Sequence, residues 1–364
     1  MLIDTYHLNN SISGIGTYTI NVCLGIRKVK TNDFQFIEFP KFEKSLEFNF
    51  FKGSIGWGKK ILSHLSYLIW KQIILPIAAI YYKADFIYSA DFVSPYFGKQ
   101  KKIIVFHDTL FWEFPKNYNY FWRKYFVTLI ELTLKESDLI LATSNYTKTK
   151  IKEIIKPVCD VETVYQCAKK LDKTGKFEPI YQNYLLHVGT FDNRKNIETL
   201  VKAFYLIRKK FSDLKLVLVG FEGSSGANIL YKKIKILISD LNLEQCVFLP
   251  GYVTNEELSN LYYHASCYIF PSLDEGFGIP ILEAQFSGIP VIVSNRGALK
   301  EIGGEGVLTF EALDPIDLQT KVESILTDNE LRLSLIDKGT ENFNRFNVEN
   351  FTLSLIKALK KIQI

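Results

Sequence analysis

The most informative part of the sequence is the stretch Phe270-Pro-Ser-Leu-Asp274-Glu275-Gly276-Phe277-Gly278-Ile279-Pro280-Ile-Leu-Glu283-Ala284. It begins at the end of an apolar run, passes through two glycines and reaches a proline, a residue well suited to the first turn of a helix. The stretch therefore predicts a buried strand, a glycine-rich loop and a helix that begins near Pro280. In parallel α/β sheets, ligands bind outside the carboxyl ends of strands, where such loops lie.

Along the whole chain, short apolar or β-branched runs alternate with longer amphipathic stretches, a pattern typical of parallel sheets with helices on both faces. Ten runs are predicted to be strands: Met1–Asp4, Phe34–Glu38, Phe86–Ser89, Lys102–His107, Leu139–Thr143, Tyr184–Val188, Lys215–Val219, Cys246–Leu249, Cys267–Phe270 and Pro290–Ser294. Several are nearly all apolar, as strands buried on both faces should be. The sequence therefore predicts an α/β protein with two parallel sheets.

A charged stretch that contains Gly175 and Pro179 shows no periodicity and is typical of a linker between domains. We therefore predict an N-terminal Rossmann-like domain over residues 1–174, a linker over 175–182, a C-terminal Rossmann-like domain over 183–346 and a terminal helix over 347–364. The terminal segment carries apolar residues at helical spacing, so this helix should dock by its apolar face.

The chain has 364 residues and a net charge of +5, and that charge is unevenly divided. Residues 1–170 carry 23 Lys and Arg against 15 Asp and Glu, whereas the remainder carries 21 against 24. A basic half indicates an anionic partner, which could be a membrane surface, a phosphorylated substrate or nucleic acid. No recognised nucleic-acid module accompanies this charge, so we expect no nucleic-acid partner.

Composition also bears on location and covalent chemistry. The longest apolar run, Ile73–Tyr82, is shorter than the roughly 20 residues of a spanning helix, so we predict no membrane span. The first residues lack the pattern of a secretory signal, which predicts a cytoplasmic protein. Five cysteines stand far apart without a C-x-x-C pair, so neither a disulfide framework nor a zinc site is indicated.

Two more loops follow predicted strands. Gly14 and Gly16 stand where the first strand leads toward a helix, and their amides could approach a phosphate; a plain turn is an equally good interpretation. Arg194 and Lys195 precede the first helix of the second half, where cations are unfavourable unless an anion joins them. Their joint charge would match a diphosphate, although a solvated charged turn could contain the same residues.

Glu275 and Glu283 lie eight positions apart, one before the predicted helix and one inside it. They can reach different parts of one elongated polar ligand, with the backbone amides of Gly276–Gly278 between them. Capping of the helix is an alternative role for Glu283, but it does not explain Glu275 and the glycines. The chain contains no D-x-D triplet, so we predict no metal site.

The second half resembles family 4 of the retaining, nucleotide-sugar-dependent glycosyltransferases with the GT-B fold. The resemblance is strong over about residues 183–310, and its motifs are the Gly189–Asn196 loop, Leu249-Pro-Gly251-Tyr-Val253, the Glu275/Glu283 pair and Gly288-Ile-Pro290. Gly14-Ile-Gly16, His107-Asp108 and the terminal helix match more loosely. The resemblance implies two Rossmann-like domains that face each other across a cleft, with the C-terminal helix docking back toward the N-terminal domain.

Four residues form the catalytic group that the resemblance implies. Glu275 would contact the transferred sugar, His107 would lie near the donor sugar and the acceptor, and Arg194 and Lys195 would hold the diphosphate. Thr190 stands where many members have an arginine, so the positive charge falls to Arg194 and Lys195 alone. For His107, a hydrogen-bonding role at a strand end is the alternative.

The resemblance also implies a donor-binding group, in which Glu283 would bind the ribose hydroxyls. The other members are Gly14 and Gly16 from the first domain, Tyr252 and Val253 around the base, and Gly276, Phe277, Gly278 and Ile279 in the loop beside the diphosphate.

The activity that the resemblance implies is transfer of a hexose, with mannose as one candidate, from a UDP- or GDP-linked sugar to a glycan or lipid-linked glycan acceptor in surface-polysaccharide or lipopolysaccharide biosynthesis. The reaction would retain the anomeric configuration and would need no metal and no cofactor besides the nucleotide sugar. A catalytically inactive nucleotide-sugar-binding protein of the same fold is the nearest alternative. A Rossmann-type NAD-dependent oxidoreductase, which needs a fuller glycine fingerprint, is a further one.

Acceptor choice is expected to belong to the basic, aromatic first half. There the segment Phe51–Lys71 mixes aromatic residues and lysines as interfacial segments do. We hypothesise that it touches an anionic membrane surface or a lipid-linked, phosphorylated acceptor, which would make the protein peripheral on the cytoplasmic face of the membrane. An ordinary core helix with a lysine face is the alternative.

Overall fold

The computed structural model describes residues 1–9, 14–29, 31–47, 57–168, 171, 178–220 and 227–362. The chain forms two compact units. Unit 1 comprises Met1–Cys167 together with Phe346–Ile364, and unit 2 comprises Ala168–Arg345. The first three residues of the predicted linker, 175–177, lie outside the described residues.

Unit 1 contains a parallel sheet of six strands in the order β2-β1-β3-β4-β5-β6. The strands are β1 (Leu2–Asp4), β2 (Ile37–Phe39), β3 (Phe86–Ser89), β4 (Lys101–Phe106), β5 (Leu139–Ala142) and β6 (Asp160–Thr163). Two expectations are corrected here. The predicted strand Phe34–Glu38 lies at Ile37–Phe39, and β6 was not predicted because it is a polar edge strand that pairs only with β5.

The helices of unit 1 up to residue 150 are α1 (Gly14–Lys28), α2 (Phe42–Glu47), α3 (Trp57–Ile69), α4 (Leu75–Tyr81), α5 (Leu110–Glu113), α6 (Tyr120–Leu134) and α7 (Asn145–Lys150). A π-helical turn, Trp70–Ile74, joins α3 to α4 without leaving helical backbone angles at either junction. Residues 57–81 therefore form one continuous helix, which we call the long helix.

Unit 2 contains a second parallel sheet of six strands in the order β12-β11-β10-β7-β8-β9. The strands are β7 (Tyr184–Val188), β8 (Lys215–Val219), β9 (Val247–Gly251), β10 (Cys267–Phe270), β11 (Val291–Ser294) and β12 (Val307–Phe310). The edge strand β12 was not predicted. β7 and β10 are direct neighbours, with Cys267 opposite Leu185, so the loops that follow these two strands leave the sheet side by side.

The helices of unit 2 cover both faces of its sheet. They are α8 (Ile197–Ile207), α9 (Ala227–Asp240), α10 (Asn255–His264), α11 (Ile279–Phe286), α12 (Leu299–Gly303), α13 (Pro315–Thr327) and α14 (Asn329–Asn344). Their apolar faces enclose a core in which Leu216, Leu218 and Ile269 are fully buried.

The C-terminal helix α15 (Val348–Lys360) belongs to unit 1, although the residues just before it belong to unit 2. It packs on α1: the Phe351 ring meets Tyr18 edge-on with centroids 5.4 Å apart, and Leu355 and Leu359 are buried in the same core. The structure thus confirms that the terminal helix docks back onto the N-terminal unit by its apolar face.

Candidate active site

The loops after β7 and β10 bring together three charged side chains that the sequence singled out. Lys195 Nζ lies 2.5 Å and Arg194 Nη1 lies 2.6 Å from the same carboxylate oxygen, Oε1 of Glu275. The three side chains retain between 10 and 14% of their exposure. We call these three residues the unit 2 cluster; it holds two cations and one carboxylate at the carboxyl edge of the sheet.

Hydrogen bonds to backbone carbonyls hold the two loops together. The Arg194 guanidinium donates to the Asp274 carbonyl at 2.8 Å, and the Leu273 amide donates to the Arg194 carbonyl at 2.7 Å. Lys195 Nζ also sits over the Phe270 ring, 4.9 Å from its centroid. The position of both cations is therefore set by the folded loops.

The charge state of Glu275 follows from these contacts. Burial alone would raise the pKa of its carboxyl, but Lys195 and Arg194 outweigh burial and lower that pKa to about 2. Glu275 is therefore ionised at neutral pH and balances one of the two cations, while Asp192 Oδ2, 3.6 Å from Arg194 Nη2, offsets part of the remaining positive charge. A fixed, partly desolvated positive charge can stabilise an anion better than the same charge in water.

Two glycines shape the loop that follows Glu275. Gly278 has a φ of +108° and directly precedes α11, and a Cβ there would press on Ile281 and Leu299. Gly297 has a φ of +63°, and its Cβ would lie 2.6 Å from the Glu275 amide nitrogen. Both positions exclude ordinary side chains, so the loop packs closely against neighbouring backbone.

Glu283, the second carboxylate of the pair, lies within α11 rather than at its start. The helix has no side-chain cap at Gly278, and the Tyr262 hydroxyl donates to Glu283 Oε2 at 3.1 Å. Burial, followed by the charges around it, raises the pKa of Tyr262, so this hydroxyl keeps its proton. The contact holds Glu283 in place and leaves it partly exposed.

A further residue, His187, was missed as a functional candidate. It is fully buried in β7, and its Nδ1 lies 3.0 Å from the Ile269 carbonyl. Burial lowers its pKa to about 4, so the ring is neutral and Nδ1 is the donor. Its Nε2 is buried without a hydrogen-bond partner among the described residues, and a Cβ at Gly189 would lie 3.2 Å from it. The available signal was a histidine in an otherwise apolar strand.

The residues predicted around the base follow the edge strand β9. Tyr252 is 82% exposed, whereas Val253 is partly buried against the core of unit 2. Phe277 is buried and Ile279 opens α11. The structure thus places these predicted residues at the same carboxyl edge of the sheet as the unit 2 cluster.

The predicted residues of unit 1 also come together within that unit. Gly14 is exposed and opens α1, and Gly16 is buried two residues later. His107 follows β4, where its Nε2 lies 2.9 Å from the Ala90 carbonyl and its ring packs edge-on against Tyr18, 4.9 Å between centroids. Burial lowers the pKa of His107 to about 4. The approach of these residues to the unit 2 cluster stays a prediction.

Unit 1 contains its own buried charged group, which we call the unit 1 cluster: Asp4, Lys71 and Asp91. Lys71 Nζ lies 2.6 Å from Asp4 Oδ2 and 2.5 Å from Asp91 Oδ1, and all three side chains are at most 3% exposed. Asp91 Oδ2 also meets His7 Nε2 at 2.6 Å and accepts from the Tyr67 hydroxyl at 2.5 Å.

This cluster shows that the last two residues of the segment Phe51–Lys71 face the interior of unit 1, whereas contact of the segment with an interface stays a prediction. Trp70 and Lys71 are buried, and Trp70 Nε1 donates to Asp4 at 3.0 Å. Residues 51–56 lie outside the described part of the chain.

Within the described residues, no group of three or more His, Cys, Asp or Glu side chains is arranged to hold a metal ion.

Residues 170–342 match the family model described as glycosyl transferases group 1. The chain is similar to the O-antigen chain mannosyltransferase B of Escherichia coli, with 28% identity over 292 residues that cover 76% of this chain and 74% of that protein.

Two solved structures show the same fold over the whole chain. Sucrose-phosphate synthase from Thermosynechococcus elongatus matches with a TM-score of 0.75 and 19% identity, covering 100% of this chain and 98% of the other. HepE of Anabaena in complex with UDP and glucose matches with a TM-score of 0.71 and 16% identity, covering 99% and 98%. This likeness confirms the predicted GT-B fold.

Proposed function

We propose that this chain is a glycosyltransferase of the group 1 family, whose model residues 170–342 match, and that it moves a hexose from a UDP- or GDP-linked sugar to a glycan or lipid-linked glycan acceptor. Similarity to an O-antigen chain mannosyltransferase supports mannose as the sugar and surface-polysaccharide biosynthesis as the setting. The likeness to HepE, solved with UDP and glucose, supports a nucleotide donor. The proposed location is the cytoplasm, at the cytoplasmic face of the membrane.

The observation that carries the proposal is the unit 2 cluster. Arg194 and Lys195 share the carboxylate of Glu275, and the positive charge of these two cations stands beside the glycine loop at the start of α11. A bound diphosphate would satisfy this charge together with backbone amides of the loop. A glycosidic bond breaks more easily when the departing diphosphate is stabilised in this way.

In the proposed reaction, the bond between the anomeric carbon and the diphosphate oxygen breaks, and its electron pair leaves with the diphosphate. The acceptor hydroxyl oxygen bonds to the anomeric carbon on the face that the diphosphate vacates, and its proton passes to a phosphate oxygen of the leaving group. Attack on that face retains the anomeric configuration. Arg194 and Lys195 would stabilise the charge that develops on the diphosphate.

The remaining roles follow the position of each residue. Glu275, held by two cations, would accept hydrogen bonds from hydroxyls of the transferred sugar. Glu283 would bind the ribose, and the backbone around Tyr252 and Val253 would seat the base. From unit 1, Gly14 and Gly16 would approach the diphosphate, and His107 would meet the donor sugar or the acceptor. No metal and no further cofactor is proposed.

A thermal-shift panel of UDP-, GDP-, ADP- and TDP-sugars tests the proposal, because a ligand that binds the folded state raises Tm. We expect one donor to stabilise the chain and Glu275→Ala to abolish turnover of that donor. Leu313→Gln, a change at an exposed position of unit 2, is the control and should leave both readouts unchanged.

Product analysis and chelation test the proposed retention of configuration and the proposed independence of metal. NMR of the product should show the anomeric configuration of the donor, and chelation by EDTA should leave the rate unchanged. Inverted product, or loss of activity that added metal restores, would contradict the retaining, metal-independent mechanism. Binding without any turnover would favour an inactive nucleotide-sugar-binding protein.

A further inference from the structure

The long helix of unit 1 presents an apolar stripe to solvent. Its members are Leu62, Leu65, Ile69, Ile73, Ile77 and Ile80. Each is between 48 and 66% exposed. Steps of three and four residues place all six on one face of the helix, over a length of about 27 Å. An exposed apolar surface of this length is unusual on a protein that has no partner there.

The opposite face of the same helix is fixed to the sheet of unit 1. Lys71 is fully buried between Asp4 and Asp91, and Leu75 and Ala79 are buried against the sheet residues Leu2 and Ile87. Burial opposes the charge of Lys71, but the two carboxylates outweigh it and raise the pKa of its amine. The apolar stripe is therefore the outer face of an anchored helix.

Residues Ile61–Tyr81 are long and apolar enough to cross a membrane by length and composition alone, with a mean hydropathy of 1.3 over an 18-residue window that is 33% buried. Such a crossing would remove Lys71 from both of its counterions and leave two buried carboxylates without their lysine counterion, which is strongly unfavourable. The same contacts allow the helix to lie in the plane of a membrane surface, because the stripe already points outward.

The charge around the stripe selects the kind of surface. Besides the buried Lys71, residues 48–84 contain four lysines and no Asp or Glu. Lys59 and Lys83, near the two ends of the stripe, are exposed. An apolar helix face flanked by lysines is typical of helices that bind anionic lipid. A second copy of this chain would bring the same positive charge to the contact and is disfavoured for that reason.

Exposed aromatic side chains lie beside the long helix on two neighbouring elements. On α6, Phe121 is 78% exposed, and this helix is joined to the long helix by Trp122 Nε1, which donates to His64 at 3.1 Å. Phe97 is 72% exposed, and the preceding residue, Tyr96, donates its amide to Gln72 of the long helix at 2.8 Å. Aromatic rings beside such a helix match the headgroup region of a bilayer.

We propose that unit 1 binds an anionic lipid surface through the outer face of the long helix, which lies in the plane of the membrane and does not cross it. The lysines meet the lipid headgroups, and the six Leu and Ile side chains enter the boundary with the acyl chains. This inference goes beyond the proposed sugar transfer and does not depend on it.

Vesicle flotation of the full chain tests the proposal. We expect the chain to float with vesicles of phosphatidylglycerol and phosphatidylcholine, and much less with phosphatidylcholine alone. Ile73→Gln combined with Ile77→Gln should lower the bound fraction about tenfold, because two apolar side chains no longer enter lipid. Leu313→Gln combined with Ile316→Gln changes two equally exposed apolar residues of unit 2 and should leave binding intact. Equal binding by both double variants would overturn the proposal.

Labelling with a membrane-impermeant maleimide distinguishes a helix that lies in the plane of the membrane from one that crosses it. The background is Cys159→Ser, because Cys159 is partly exposed while the other four cysteines are buried. With protein added outside the vesicles, Lys59→Cys and Lys83→Cys should both react if the helix lies in the plane. Protection of one end only would show a crossing and contradict the proposal.

Analytical ultracentrifugation without lipid tests whether a second copy of this chain covers the stripe instead. We expect the same mass for the chain and for the Ile73→Gln/Ile77→Gln variant. A dimer that this variant dissociates, with no flotation of the parent chain, would assign the face to a second copy and overturn the proposal. The donor-induced thermal shift should be equal in both proteins, so a failure of lipid binding and a failure of sugar transfer remain distinguishable.

Discussion

The two units contain buried charged clusters of opposite composition. The unit 2 cluster has two cations and one carboxylate, whereas the unit 1 cluster has one cation and two carboxylates. Both lie where strands of a parallel sheet end: Asp4 is the last residue of β1, and Glu275 follows β10. They differ in exposure as well as in sign, since the unit 1 side chains are at most 3% exposed and those of unit 2 reach 14%.

This difference indicates that the unit 1 cluster stabilises the fold, whereas the unit 2 cluster can bind a ligand. In unit 1 every charge is closed off, and Lys71 ties the long helix to the residues at the ends of two strands, so the cluster serves the fold. In unit 2 the two cations remain partly accessible, so the cluster can accept an anion from outside. The same kinds of side chains at equivalent sheet edges therefore predict a loss of stability in one unit and a loss of activity in the other.

The largest expected effect is on the stability of unit 1. Lys71→Met removes the cation and leaves two buried carboxylates without their lysine counterion, which should cost about 3–5 kcal/mol of unfolding free energy. All four tryptophans lie in unit 1, so tryptophan fluorescence during urea denaturation reports on that unit. Lys360→Met, which breaks an exposed pair with Asp33, should change the midpoint far less. Equal midpoints for the two variants would show that the unit 1 cluster is no anchor.

The next effect is a dependence of unit 2 on pH. The folded-state pKa of His187 is lowered to about 4 by burial, below the usual value of about 6.5. The resulting stability is present above about pH 6.5 and is lost as pH falls toward 4, by about 3 kcal/mol for a fully buried ring. Glu275 contributes in the same direction but only below its usual pKa of about 4.3. Between pH 6.5 and 4.5, the change in the free energy of unfolding therefore comes from the protonation of histidine.

Urea denaturation followed by circular dichroism at several pH values measures this dependence. His187→Asn keeps a donor near the position of Nδ1 and should make the pH dependence in that window shallower, while the buried His107 of unit 1, whose pKa is also lowered to about 4, keeps its own share. His264→Asn, at a partly exposed histidine of the same unit, is the matched control and should keep the slope of the parent chain. A parent profile that is already flat would contradict the neutral, buried state of His187.

Lys195 should differ most from Lys71 of the unit 1 cluster, because its replacement should lower activity more than stability. Lys195→Gln removes half of the positive charge proposed to stabilise the leaving diphosphate, so kcat/KM for the donor found in the panel should fall about a hundredfold. Arg194 still pairs with Glu275 in this variant, so the loss of stability should be much smaller than for Lys71→Met. Steady-state kinetics and denaturation of both variants test this, with Lys300→Gln at an exposed site as control. Loss of stability without loss of activity would reverse the assignment.

Much of unit 2 could be predicted from sequence because its signals are local. Strands buried on both faces are continuous apolar runs, as in Cys267–Phe270, and the loops after them show their chemistry within a few residues. Glu275, Arg194 and Lys195 could thus be selected from their local sequence alone. Their mutual contact could be expected only because loops after parallel strands share one edge.

The buried cluster of unit 1 could not be predicted from sequence, because its residues are far apart along the chain. Lys71 finds its counterions at Asp4 and Asp91, and nothing near residue 71 reveals them. A lysine in an apolar helix can face lipid, water or a buried carboxylate, and only tertiary structure distinguishes these environments. The edge strands β6 and β12 were missed because the first is polar and each pairs with one neighbour only.

The smallest expected effect concerns the second carboxylate of unit 2. Tyr262→Phe removes the hydroxyl that donates to Glu283 and keeps the ring. One hydrogen bond to a charged group contributes about 1.5 kcal/mol, so a donor held by Glu283 through its ribose should bind about tenfold more weakly, with kcat little changed. Tyr205→Phe, at an exposed tyrosine of the same unit, is the matched loss of a hydroxyl and should leave affinity unchanged. Calorimetric titration with the donor compares the two variants. Equal affinity in both would mean that Glu283 needs no support from Tyr262, and the site would then depend on the unit 2 cluster alone for its order.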